Sequence, residues 1–103
     1  MTAMAIQIVT KPLPGADMKK IMGNLKEAAE LFRQSGAVVS AWTVSVGEVG
    51  NLVFNARWDN FTSYGKAMDH MVGDQAVQAI AVKITASGTV EWVRSNMVRE
   101  LPV

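Results

Sequence analysis

Residues 37–58 read AVVSAWTVSVGEVGNLVFNARW. Ala37–Val46 is rich in β-branched residues and alternates, which places Val38, Trp42, Val44 and Val46 on one face of a strand. Gly47-Glu48-Val49-Gly50-Asn51 is turn chemistry. Leu52–Trp58 alternates again, with Leu52, Phe54 and Trp58 on one face. Two strands joined so closely pair antiparallel, so this stretch is a hairpin. What flanks it decides the fold.

Upstream, Met4–Thr10 is a short strand with Met4, Ile6 and Ile8 on one side and Ala5, Gln7 and Val9 on the other. The prolines of Lys11-Pro12-Leu13-Pro14-Gly15 are expected to end it, because proline cannot donate to a ladder. Asp17 is a natural helix N-cap. Met18, Ile21, Leu25, Ala28 and Phe32 then recur at helical spacing, flanked by Met22 and Ala29, and Gly36 closes the helix. Downstream of the hairpin, Asp59 or Asn60 caps a second helix whose apolar stripe is Phe61, Tyr64, Met68 and Met71. Gly73-Asp74 interrupts it, and Asp74 can cap a fresh helical piece with Val77, Ile80, Ala81 and Ile84 inward. Ser87-Gly88 ends that piece. Thr89–Leu101 is a last strand with Val90 and Trp92 facing one way.

The order is β-α-β-β-α-β. It predicts an α+β, ferredoxin-like domain over residues 1–103, a four-stranded antiparallel sheet with two helices on one face.

Composition narrows the function. The 103 residues are half hydrophobic and 18% charged, with no cysteine and a net charge of +1. Lack of cysteine removes disulfides and thiolate chemistry. The near-neutral balance offers no electrostatic reason for nucleic acid or an anionic membrane as partner. The N-terminus MTAMAIQIVTKP lacks the pattern of a signal peptide, so a cytoplasmic location is the default expectation. One histidine in the chain makes a poor metal site. Gly47-Glu48-Val49-Gly50 matches the spacing of an RNA-binding GXXG loop, but it joins two strands and carries a glutamate, so it reads as a turn.

Helices cover one face of such a sheet, and the other face reads polar when it meets water. Here the less apolar register still carries Ala5, Val9, Val39, Ala41, Val53, Val93, Met97 and Leu101, beside Gln7, Thr43, Ser45, Asn55, Arg57 and Ser95. A patch of that size invites association. The expected partner is a second copy, the two sheets packed face to face about a two-fold axis.

The segment GNLVFNARWDNFTSYGKAM, residues 50–68, resembles the dimeric α/β-barrel superfamily, in its antibiotic-biosynthesis-monooxygenase-like and NIPSNAP-like members. In them a strand ending in tryptophan runs into the second helix. Trp58 matches that tryptophan and Gly50 the turn glycine before the strand. The resemblance implies ferredoxin-like domains that pair through their sheets. Members include cofactor-independent oxygenases of aromatic polyketides, haem-degrading enzymes, polyketide cyclases and proteins with no known activity. The haem-degrading members carry a ligating histidine at the place of Ala67 or Met68, from which His70 is displaced. The cyclases use a tyrosine and a histidine on this helix, as Tyr64 and His70 could, although their histidine-proline pair is absent here.

Each candidate residue has a structural reading beside its functional one. Ideal helix geometry turns His70 away from the apolar stripe, towards solvent; turned inward it would be a general base. Tyr64 lies on the stripe as a core tyrosine, or presents its hydroxyl to a substrate oxyanion. Trp42, Trp58 and Trp92 fill the core, or form a flat wall for an aromatic ligand. Met68 and the other methionines pack adaptably, or line a pliable cavity. Asn55 and Arg57 share a strand face, where Arg57 is expected to pair with Glu91 or to bind an anion.

Two functions follow. One is a small-molecule binder or cofactor-independent, monooxygenase- or cyclase-like enzyme acting on an apolar, aromatic substrate between helices and sheet. Tyr64 and His70 would be catalytic, Trp58, Asn55, Arg57 and Met68 would hold the substrate, and neither metal nor cofactor is required. The other is a non-catalytic dimeric structural or ligand-sensing module.

Overall fold

A computed structural model describes residues 2–103. Its elements are β1 (Met4–Pro12), α1 (Met18–Gln34), β2 (Val38–Thr43), β3 (Leu52–Trp58), α2 (Phe61–Val72), α3 (Gln75–Ser87) and β4 (Val90–Arg99). Every strand pair is antiparallel, and the sheet order is β2-β3-β1-β4. The α+β, ferredoxin-like arrangement is thus observed, with three helices rather than two. The break lies at Gly73-Asp74 because the Asp74 carboxylate accepts from the Ala76 N–H at 2.8 Å and starts a new helix. Asp17 caps α1 through the Lys19 N–H at 2.9 Å, and Asn60 caps α2 through the Ser63 N–H at 2.8 Å. Gly88 ends α3 in the left-handed region at φ 63°, which glycine enters without a Cβ penalty.

Removing the middle cap tests this reading. Asp74→Ala should cost about 1 kcal/mol. For a domain of this size that lowers Tm by about 4–8 °C in a thermal melt.

Opposed residues on neighbouring strands share a face, so the register assigns each side chain to a layer. Val39, Ala56, Ile6 and Met97 form one row, and Ala41, Phe54, Ile8 and Ser95 the next. These rows face the helices, since Met4, Phe54, Ala56 and Trp58 form one cluster with Ala29 and Ala67, closed by Phe32, Leu25, Tyr64 and Met68. Val39, Ala41, Met97 and Ser95 therefore do not share a face with Ala5 and Val9, as alternation had suggested. The reason is local. β2 stops at Thr43, and residues 44–51 fold as a loop with Gly47 and Gly50 at φ 96° and 91°. A one-residue offset of register turns every side chain over. β1 and β4 also shift register between Val9 and Thr10, which resets the alternation around Val93.

Other boundaries move for similar reasons. β1 runs on through Pro12, because Lys11 and Pro12 still face Glu91 and Val90 at the end of the ladder. Phe61 is half-exposed at the first turn of α2, and Ala67 takes its place in the buried stripe. Met18 and Met22 lie half-exposed on the flank of α1, and Ala81 is exposed on α3.

The face turned away from the helices carries three rows. Val38, Arg57, Ala5 and Val98 form one, Ser40, Asn55, Gln7 and Asn96 the middle one, and Trp42, Val53, Val9 and Arg94 the third. Arg57 pairs with Asp59 at 3.1 Å and reaches Glu100 at 3.9 Å, while Glu91 stands opposite Lys11. The expected Arg57–Glu91 pair is corrected by this register. At the other end of the face, Glu48 of the hairpin loop accepts from Arg94 at 2.9 Å. Val38 and Trp42 are each 65% exposed on this surface.

Candidate functional site

Trp58 ends β3 and is 1% exposed. Its ring meets Tyr64 edge-on with centroids 5.3 Å apart, and lies 6.1 Å from Phe32, which in turn contacts Phe54 at 5.3 Å. These four rings fill the space between helices and sheet over β3, where a substrate pocket was expected. The indole N–H of Trp58 donates to the Ser35 carbonyl at 3.4 Å, which ties the end of β3 to the last turn of α1.

The opening lies beside that contact. It is a depression of about 500 Å3 with three sides. One is the end of α1, Gln34, Ser35 and Gly36; the second is the end of β3, Trp58 and Asp59; the third is α2, through Ser63, Lys66, Ala67 and His70. Positions 63, 66, 67 and 70 repeat at the three/four spacing of one helix face, so α2 presents Ser63, Lys66 and His70 as a line. The neighbouring stripe, Tyr64, Met68 and Met71, turns to the core, and buried Ala67 lies on the border between the two.

Trp58 and His70 are thus brought together, with the indole as floor and the imidazole at the rim. The His70 side chain is 75% exposed and lies 3.6 Å from the Asp74 carboxylate. Tyr64 stands behind Trp58 and does not line the depression. Met68 packs against the core cluster. Asn55 and Arg57 lie across the sheet, on its far face. Sequence reasoning passed over Ser63 and Lys66, although their spacing from His70 was visible.

The charges of the site are uneven. Ion pairs among the described residues join Arg57 to Asp59 and Glu100, Lys83 to Glu27, and Arg94 to Glu48, and the His70 imidazole lies beside Asp74. Asp59 is therefore engaged, while Lys66 has no carboxylate partner among them. No cluster of three His, Asp or Glu side chains suited to a metal ion occurs among the described residues. No helix among them is long and apolar enough to cross a membrane.

A second depression of about 370 Å3 lies between α1 and α3, floored by Leu31, Ala79 and Ile80 and spanned by the Glu27–Lys83 pair at 2.8 Å. It holds none of the candidate residues.

No protein-family model matches the sequence, and no curated protein does. Solved structures do. A NIPSNAP domain protein from Burkholderia xenovorans superposes with a TM-score of 0.71 at 16% identity, over 100% of this chain and 95% of its own. SnoaB, a cofactor-independent oxygenase from Streptomyces nogalater, gives 0.73 at 10% identity, over 100% and 97%. A protein of Chloroflexus aurantiacus J-10-fl assigned as an antibiotic biosynthesis monooxygenase gives 0.65 at 12% identity, over 98% and 95%. The chain has the fold of these NIPSNAP-like and monooxygenase-like proteins. At these identities the likeness is one of fold.

Proposed function

From the fold it shares with NIPSNAP-like proteins and a cofactor-independent oxygenase, we propose that this protein binds a small aromatic ligand in the depression beside Trp58. The observation that carries this reading is the meeting, at one opening, of a buried indole and an ionisable imidazole on an adjacent helix. Pockets for small molecules combine an apolar floor with a few convergent polar groups. In the catalytic form, the His70 imidazole takes a proton from a C–H or O–H of the substrate, as monooxygenase- or cyclase-like chemistry begins. Tyr64 acts at one remove, by holding the Trp58 ring.

A second copy of the chain is the proposed partner, seated on the far face of the sheet. That face is self-complementary in kind. Its middle row of Ser40, Asn55, Gln7 and Asn96 offers donors and acceptors together, and its arginines are already paired.

His70→Ala tests the first claim. The side chain is exposed, so Tm should move by less than about 4 °C. Ligand binding or turnover should fall at least tenfold. Tyr64→Phe keeps the ring contact and should leave binding within threefold of wild type. An unchanged signal in His70→Ala would favour the second reading, a non-catalytic dimeric module, which the separation of Tyr64 from the opening also favours.

A further inference from the structure

The depression beside Trp58 has walls of unlike chemistry. Resting on the ligand-binding reading above, we infer that its ligand carries an anionic group such as a carboxylate at the α2 side and a hydrogen-bond donor at the α1 side.

Lys66 lines the opening with no carboxylate partner among the described residues, and the one acid lining it, Asp59, is held by Arg57 at 3.1 Å. One turn on, His70 adds an imidazole whose Nε2 lies 3.6 Å from the Asp74 carboxylate, which leaves Nδ1 for a ligand, and one turn back Ser63 adds a hydroxyl. Residues three and four apart on a helix hold their Cβ atoms about 5–6 Å apart, so Lys66, in the middle, can share one carboxylate-sized group with Ser63 or with His70. An ammonium, an imidazole and a hydroxyl can each donate to an anion, and charge-assisted hydrogen bonds are the stronger kind.

The facing wall has the opposite character. It is the C-terminal end of α1, where carbonyl oxygens and the negative end of the helix dipole collect. The Phe32 carbonyl is occupied by the Ser35 and Ala37 N–H groups, and that of Arg33 by Gly36. The Ser35 carbonyl receives only the long 3.4 Å contact from Trp58, and an oxygen with two lone pairs accepts a second donor. A hydroxyl on the ligand meets that need. Between the two walls the floor is Trp58 and Ala67. A flat hydroxylated acid matches all three surfaces.

The test titrates 4-hydroxybenzoate, its neutral isostere 4-hydroxybenzamide and benzoate into the full chain, followed by backbone amide shifts and isothermal calorimetry. The acid should bind at least tenfold more tightly than the amide, and benzoate several-fold more weakly than 4-hydroxybenzoate. Shifts should centre on Ser63, Lys66 and His70. Lys66→Gln should bring acid and amide within about twofold of each other without changing the far-UV spectrum, and Lys66→Arg should keep most of the preference. Acid and amide binding equally at this site would overturn the charge reading while leaving the ligand-binding reading intact. If no probe shifts these residues, both readings fall. Binding that persists unchanged in Lys66→Gln would remove Lys66 as the anion's partner and overturn the inference.

Discussion

Trp58→Ala is expected to lower the melting temperature of this domain further than any other single change considered. The side chain is 1% exposed and is the junction of Phe32 and Tyr64, with a polar tie to Ser35. Replacing such a residue by alanine removes the transfer free energy of the ring and leaves a cavity, together about 3–5 kcal/mol. Domains of this size hold only about 5–15 kcal/mol in total. At about 4–8 °C per kcal/mol, Tm should fall by at least ~12 °C in a circular-dichroism melt. Trp58→Phe keeps part of the ring packing and loses the indole N–H, so its Tm should lie between the two. The tie to α1 also positions the Ser35 carbonyl, so Trp58→Phe should weaken 4-hydroxybenzoate more than benzoate. A Tm loss below about 5 °C in Trp58→Ala would show that the ring cluster is not the centre of the core.

The second large effect concerns association. Trp42→Glu should convert the proposed dimer into a monomer. Trp42 lies on the sheet face away from the helices, in the row of Val53, Val9 and Arg94, and its indole N–H donates along its own strand to the Ser40 hydroxyl at 3.0 Å. Exposed indole is costly to leave in water, and aromatic anchors dominate interface energetics. A buried glutamate without a partner would oppose association. Light scattering at micromolar concentration should give twice the 11.1 kDa chain mass for wild type and a single chain mass for Trp42→Glu. Val82→Glu, on exposed α3, should remain dimeric and serves as control. Equal masses for Trp42→Glu and wild type would remove the sheet face as the interface.

Helix boundaries were largely legible because capping is local. Asp17, Asn60 and Asp74 each bond to a backbone N–H two or three residues away, so a short window of sequence contains both partners. The candidate site was legible only in part. His70 and Trp58 were named from residue type and resemblance, and they share an opening. Ser63 and Lys66 were overlooked because a serine and a lysine on a helix surface are ordinary until a neighbouring wall turns them into a rim. That wall is the end of α1, 23 residues away from Trp58 along the chain. Buried Asn24, whose side-chain Nδ2 has no partner, also escaped notice, since an asparagine beside an apolar stripe reads as solvent-facing.

By itself the sequence determined the element order, the three helix starts and the presence of two apolar strand faces, because spacing, capping and turn residues act within a few positions. Tertiary structure alone decided which face meets the helices. The hairpin loop and the β1–β4 irregularity set the register, and alternation with period two is blind to an offset of one residue. It also decided where a ligand could sit. Side chains distant in sequence occupy the layer between helices and sheet and leave an opening beside Trp58 where the ends of α1 and β3 meet one face of α2.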